Sequence, residues 1–182
     1  MTSGAHVVLQ TATGPFYIRS QPEGGLVTGW LDALDAGMRR VLQTAPAGPA
    51  PRSELVERIA RALAGEACDF EDVPLPRGTP FQRAVWRATR EVPRGETRSY
   101  RLIADVVGHP NAARAVGQTM RRNPQPIVTP CHRIVGSGGL GGFGGQDAGG
   151  DRVLIKERLL DLERLAADRD ANSPGSSKLV AK

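Results

Sequence analysis

Hydrophobic positions in the first thirty residues fall in short runs between turn signals, the pattern of strands. His6-Val7-Val8-Leu9-Gln10 and Phe16-Tyr17-Ile18-Arg19 are predicted strands on either side of Thr13-Gly14-Pro15, and Gly24-Gly25 marks a turn before Leu26-Val27. Residues 44–51, rich in Pro and Ala, read as a loop. Ser53 is expected to cap a helix whose Leu55, Val56, Ile59, Ala60 and Leu63 share one face, with Gly65 ending it. Residues 1–72 are therefore expected to form a small α/β unit, and residues 73–80, with three prolines and a glycine, a linker.

Beyond residue 80 the pattern becomes helical. Thr79 is placed to cap and Pro80 to open a helix with Phe81, Ala84, Val85 and Ala88 on one face. Ser99 precedes a second helix from Tyr100 that stops at Gly108. Asn111 is expected to cap a third, from Ala112 to about Arg122, ended by Asn123-Pro124. Two short helices joined by Gly108-His109-Pro110-Asn111 resemble a helix-turn-helix. In the second of them Ala112, Ala113, Ala115 and Gly117 surround Arg114. Small side chains allow close approach to a groove; a packed helix would also show them, but rarely with an arginine in their midst. A last helix is predicted from Asp151 to about Ala167, with Ile155, Leu159 and Leu162 inward, and residues 168–182 are expected to be a disordered tail. The expected fold is α+β: the α/β unit, then a mainly helical domain over residues 81–167.

A hydrophobic content of 40% suits a globular chain, and no stretch of about 18 apolar residues suggests a membrane span. The N-terminus lacks the charged and apolar regions of a secretion signal, so a cytoplasmic location and reduced cysteines are expected. His6, His109 and His132 are scattered, without metal-ligand spacing, and neither a metal nor a cofactor is expected. The net charge is +5, and 21 of the 24 basic residues are arginine. Residues 77–133 hold eleven arginines against Glu91, Glu96 and Asp105, so this segment alone is more positive than the whole chain. Arginine concentrated in this way suits a polyanion. Residues 136–150 contain nine glycines, as in a mobile loop or one lying against a ligand, but lack the ending of a phosphate loop.

The basic segment ends at Pro130-Cys131-His132-Arg133. A thiolate is the nucleophilic form of cysteine and neighbouring positive charge favours it. An isolated cysteine is more often a small buried hydrophobe; beside an imidazole and a guanidinium it is a candidate nucleophile. A cysteine hydrolase would need a distant His and Asn or Asp, and would leave the basic helix pair unexplained.

Pro130-Cys131-His132-Arg133-Ile134-Val135, preceded by Asn123-Pro124-Gln125-Pro126-Ile127, resembles the active-site signature of the O6-alkylguanine-DNA alkyltransferases. The resemblance extends through Gly95-Glu96-Thr97-Arg98-Ser99-Tyr100 and Ala112-Ala113-Arg114-Ala115-Val116-Gly117, and on to Lys156 and Leu159-Leu160-Asp161-Leu162-Glu163. It covers about half the chain. It implies stoichiometric transfer of a methyl or larger alkyl group from O6 of guanine in double-stranded DNA to Cys131, which spends the protein. It further implies His132 as a water-linked base, Glu163 orienting it, Tyr100 as proton donor and Asn123 as a hinge. Arg114 is implied as the finger replacing the flipped nucleotide, with Ala112, Ala113, Gly117, Arg121 and Arg133 at the DNA. Met120, Ile134, Val135 and Phe143 would line the pocket. A monomer is expected; cooperative binding and action on O4-alkylthymine are left open. Tyr100 could instead be core, Glu163 a solvated helix residue with Glu157 as its rival, and Asn123 a helix terminator. Phe143 stands where many members have tyrosine, the glycine loop is longer than usual, and the zinc ligands some members carry are absent. Related lesion-binding proteins that do not transfer replace the cysteine.

Overall fold

The computed structural model describes residues 6–22, 25–32, 48–140 and 151–172. Phe143, the glycine-rich stretch beyond Leu140 and the tail from residue 173 lie outside them. The chain opens as an antiparallel sheet in sequential order: β1 (His6–Thr11), β2 (Gly14–Ser20) and β3 (Leu26–Trp30). The first hairpin turns on Ala12-Thr13, with Thr11 opposite Gly14, one residue earlier than expected. Gly14 is the pivot because it adopts φ 104°, a conformation costly to any other residue.

Helix α1 (Ser53–Leu63) lays Leu55, Ile59 and Leu63 against this sheet. The expected cap at Ser53 is corrected: Ser53 is already helical and Arg52 occupies the cap position without a side-chain bond. The core they build with Phe16, Ile18 and Trp30 also takes in Val73, Ile127, Val128 and Leu159. Residues from both expected units thus share one apolar interior, and Val73, at the start of the expected linker, is buried. Gly65, at φ 89°, closes the junction: a Cβ there would run into the Leu162 carbonyl.

Helix α2 (Pro80–Arg90) starts as the sequence dictates. Thr79 accepts from the Gln82 N–H while the Gln82 side chain accepts from the Thr79 N–H, a reciprocal cap with Pro80 inside it. After β4 (Arg98–Ser99), helix α3 (Tyr100–Val106) is capped by the Ser99 hydroxyl. Helix α4 (Ala113–Arg121) begins one residue later than expected, and its cap position is Ala112, not Asn111, because Ala112 N–H turns back to the His109 carbonyl. A 3-10 turn (Cys131–Arg133) and β5 (Ile134–Val135) follow, and β5 pairs in parallel with β4. Val85, Trp86, Ile103, Val116, Met120 and Ile134 form a second core around Cys131. The last helix, α5 (Asp151–Ala171), runs beyond Ala167, so residues 168–171, expected in a disordered tail, are helical.

Candidate active site and the arginine-bearing helix

The pairing of β4 with β5 sets Ser99 beside Val135, which brings the start of α3 next to the turn that carries Cys131. Tyr100, half-buried, packs against the second core. Burial and the nearby Cys131 charge push its phenol up, so it is protonated at neutral pH.

Cys131 is 4% exposed. Its N–H donates to the Thr129 carbonyl at 2.7 Å, and the same carbonyl accepts from Asn123 Nδ2 at 2.8 Å. Asn123 Oδ1 in turn accepts from Gln125 N–H at 3.0 Å. The residue is therefore more than a helix terminator: its amide closes the loop on itself. Burial pushes the Cys131 thiol up, against the Asn123 amide, the Lys156 charge and the N–H groups of Cys131 and His132, which all favour the thiolate. At rest the group is a thiol with thiolate-stabilising groups already assembled around it.

His132 and Glu163 are both buried and lie 2.8 Å apart through Nε2 and Oε1. Arg133 reaches the same carboxylate with Nε at 3.1 Å to each oxygen and Nη2 at 2.8 Å to Oε1, and donates to the Val92 carbonyl through Nη1. Gly95 N–H adds a bond to Oε2. Burial alone would raise the Glu163 carboxyl, but His132 and Arg133 hold it down at about 2, so it is ionised. His132 is kept below its ordinary value by burial, with Glu163 opposing, and is neutral. An ionised carboxylate only accepts, so Nε2 carries the imidazole proton and Nδ1 holds a lone pair.

Two expectations change here, for Arg133 and for the inward face of α5. Arg133, expected at the DNA, is turned inward, because a buried carboxylate without a cation would be costly. Glu163, the carboxylate expected to orient the histidine, faces it, and Glu157 is exposed. The inward stripe of α5 is Lys156, Leu159, Leu160 and Glu163, while Ile155 and Leu162 sit at its margins.

Lys156 was given no role by sequence reasoning. It is fully buried, donates to the Ile134 carbonyl at 2.6 Å and the Leu140 carbonyl at 2.5 Å, and stands 5.8 Å over the Tyr100 ring. Burial draws its ammonium down to about 8, with Cys131 pulling the other way, so it remains mostly charged at neutral pH. The available signal was spacing: Lys156 and Glu163 are two helical turns apart, on the face that also carries Leu159 and Leu160. Of the expected pocket residues, Met120 and Ile134 are buried beside Cys131 in the second core, Val135 is half-buried, and the Ile134 carbonyl is occupied by Lys156.

Helix α4 buries Val116, Thr119 and Met120 and presents Arg114 and Arg121 to solvent, with Ala112, Ala113 and Gly117 partly covered. A Cβ at Gly117 would meet nothing within 4 Å, and its φ is not positive. Neither packing nor backbone conformation within the described residues requires a glycine there, although a mid-helix glycine costs about 1 kcal/mol relative to alanine. Gly117→Ala is expected to raise stability by about 0.5–1 kcal/mol and to weaken duplex binding, by urea unfolding and fluorescence anisotropy respectively. Unchanged duplex affinity would show that nothing approaches the helix at that point.

Among the described residues no group of three His, Cys, Asp or Glu is arranged to hold a metal ion, and no helix is long and apolar enough to cross a membrane.

The family model for the DNA binding domain of 6-O-methylguanine DNA methyltransferase matches residues 80–165. A methylated-DNA--protein-cysteine methyltransferase of Mycolicibacterium paratuberculosis is 52% identical over 111 residues, 60% of this chain and 63% of that protein. One from Methanosarcina acetivorans is 35% identical over 162 residues, 87% of this chain and 97% of that protein. The crystal structure of Mycobacterium tuberculosis OGT in complex with DNA superposes with a TM-score of 0.72 at 34% identity, covering 89% of this chain and 94% of that one.

Proposed function

The chain belongs to the methylated-DNA--protein-cysteine methyltransferase family, whose reaction is direct alkyl transfer from DNA to a protein cysteine, and we propose that Cys131 is the acceptor. The observation that carries this reading is the buried thiol set among Asn123, Lys156 and the His132–Glu163–Arg133 cluster, on the turn that follows the α4 loop. The substrate is O6-alkylguanine in duplex DNA, flipped from the stack to reach a thiol this deep.

In the proposed mechanism His132 Nδ1 takes the Cys131 proton through a bridging water, since neighbouring side chains diverge. The imidazolium formed is stabilised by the Glu163 carboxylate, itself held ionised by Arg133. Asn123 and Lys156 stabilise the thiolate. Sulfur attacks the alkyl carbon, the S–C bond forms as the C–O6 bond breaks, and guanine leaves with a proton from the Tyr100 phenol. The proton held by His132 restores that phenol through solvent, so thiol and alkylguanine end as thioether and guanine. The thioether has no route back to a thiol, so each chain reacts once.

Arg114, exposed on the DNA-facing helix, fills the gap left by the flipped base from the minor-groove side. Arg114→Ala is expected to slow transfer from duplex DNA about tenfold or more, with a much smaller effect on free O6-benzylguanine, measured as single-turnover rates. Equal losses on both substrates would refute the finger role.

Incubation with a duplex carrying one O6-methylguanine, followed by intact and peptide mass, tests the function. A gain of about 14 Da on Cys131, one methyl on the nucleophile, is expected. Retained lesion binding with no gain in mass would overturn transfer in favour of lesion marking.

A further inference from the structure

The loop that delivers Cys131 is strained. Ile127 has φ 75°, although β-branched residues avoid the left-handed region, and it is 5% exposed. Such a conformation persists only where the surroundings over-determine it. Here the surroundings belong to the N-terminal half. Thr28 on β3 donates its N–H to the Pro124 carbonyl at 3.0 Å and its hydroxyl to the Pro126 carbonyl at 2.8 Å. Gln125, 1% exposed, donates through Nε2 to the carbonyls of Leu26 at 3.2 Å and Pro74 at 3.3 Å.

One side chain ties these contacts to the thiol. Arg90, the last residue of α2, donates Nη2 to Gln125 Oε1 at 2.9 Å, Nε to Thr129 Oγ1 at 3.1 Å, and Nη1 to the Val73 carbonyl at 2.7 Å and the Phe70 carbonyl at 3.5 Å. Thr129 is fully buried, and its carbonyl is the acceptor shared by Asn123 and the Cys131 N–H. The sequence of contacts therefore runs from β3 through Gln125, Arg90 and Thr129 to Cys131. A cavity of about 430 Å³ adjoins it, lined by Arg90, Pro130, His132, Arg133 and Glu163 but, among the described residues, not by Cys131. Ile127 and Val128 anchor the loop in the first core, and the Arg90 contacts fix its polar groups beside this cavity.

We propose that Arg90 is a positioning residue for Cys131: with Gln125 it fastens the strained loop before the thiol to the N-terminal sheet, which acts as a splint for the transfer site. This rests on Cys131 being the acceptor, so wild-type protein is assayed alongside: failure of wild type to gain a methyl removes the functional reading, whereas a normal wild type with an indifferent Arg90 variant removes only the clamp.

The test separates positioning from binding. Arg90→Met, Arg90→Lys and wild type are compared for the single-turnover transfer rate at saturating O6-methylguanine duplex. Duplex affinity is measured on a Cys131→Ala background. The pH dependence of Cys131 carbamidomethylation by iodoacetamide is followed as well. A misplaced nucleophile loses up to about 100-fold, so Arg90→Met is expected to transfer about 10–100-fold more slowly with affinity within about threefold of its parent. Its carbamidomethylation profile moves to higher pH as the Asn123 amide and the Cys131 N–H lose their alignment. Arg90→Lys, which keeps the charge but not the fork, should recover part of the rate. If Arg90→Met does not fold, Thr129→Val should lose rate where Thr129→Ser does not. A saturating rate within twofold of wild type in a folded Arg90→Met, or in Thr129→Val, would overturn the proposal. So would affinity falling by the same factor as rate.

Discussion

Cys131→Ala is expected to abolish alkyl transfer while leaving affinity for an O6-methylguanine duplex within a few-fold of wild type. The reason is a separation visible in the structure. Arg114 and Arg121 are exposed on α4, whereas Cys131 lies inside the second core with Met120 and Ile134. Phosphate and groove contacts supply affinity; the sulfur contributes chemistry. Replacing a buried thiol by a methyl group leaves a small void, which costs about 1–2 kcal/mol, too little to unfold a domain of ordinary stability. The measurements are intact mass after incubation with lesion duplex, which should show no adduct, and anisotropy of a labelled lesion duplex. An adduct on any other residue at the wild-type rate would remove Cys131 from its role.

Glu163→Gln has the second-largest expected effect, and it acts on folding and transfer together. The carboxylate is the shared partner of His132, Arg133 and Gly95 N–H. Its loss leaves the Arg133 guanidinium, 17% exposed, without a counter-charge, and breaking a buried ion pair from one side typically costs about 3–5 kcal/mol. Transfer should fall by about 100-fold or more, the scale of a lost general base, because an amide cannot stabilise the imidazolium. Adding Arg133→Gln to Glu163→Gln should restore part of the stability, since the orphaned charge is gone, but none of the transfer.

The acid limb gives an independent check. The folded Glu163 carboxyl lies at about 2, below its ordinary 4.5, so folded protein holds that proton less tightly than unfolded chain. Its stabilisation is fully present above about pH 4.5 and is lost as pH falls toward about 2. Urea unfolding across that window should show a steeper loss in wild type than in Glu163→Gln. Parallel curves would mean that the carboxylate is not held ionised by its neighbours.

Helix starts are legible from local chemistry to different degrees. Thr79-Pro80 announces a helix start because capping is decided within four residues, and the structure realises it with both bonds. Asn111 announces one equally well, but the turn closes through backbone at Ala112 and the cap moves. Arg133 shows the opposite limit. Nothing adjacent in sequence distinguishes an arginine bound for DNA from one bound for a carboxylate thirty residues later. Lys156 reads as one cation among 24 until the helix that carries it is docked.

The sequence by itself determined what depends on neighbours a few residues apart: the helix starts and the first two strands to within a residue or two, the basic helix pair with small residues around Arg114, and the thiol as the group to watch. Only the tertiary structure decided which charges became partners. Burial makes an unpaired charge costly, so folding obliged Glu163 to collect His132 and Arg133, and Lys156 to collect the carbonyls of Ile134 and Leu140. It also decided that the N-terminal sheet holds a strained loop in place, because a positive φ at Ile127 is set by contacts from residues about a hundred positions away in the chain.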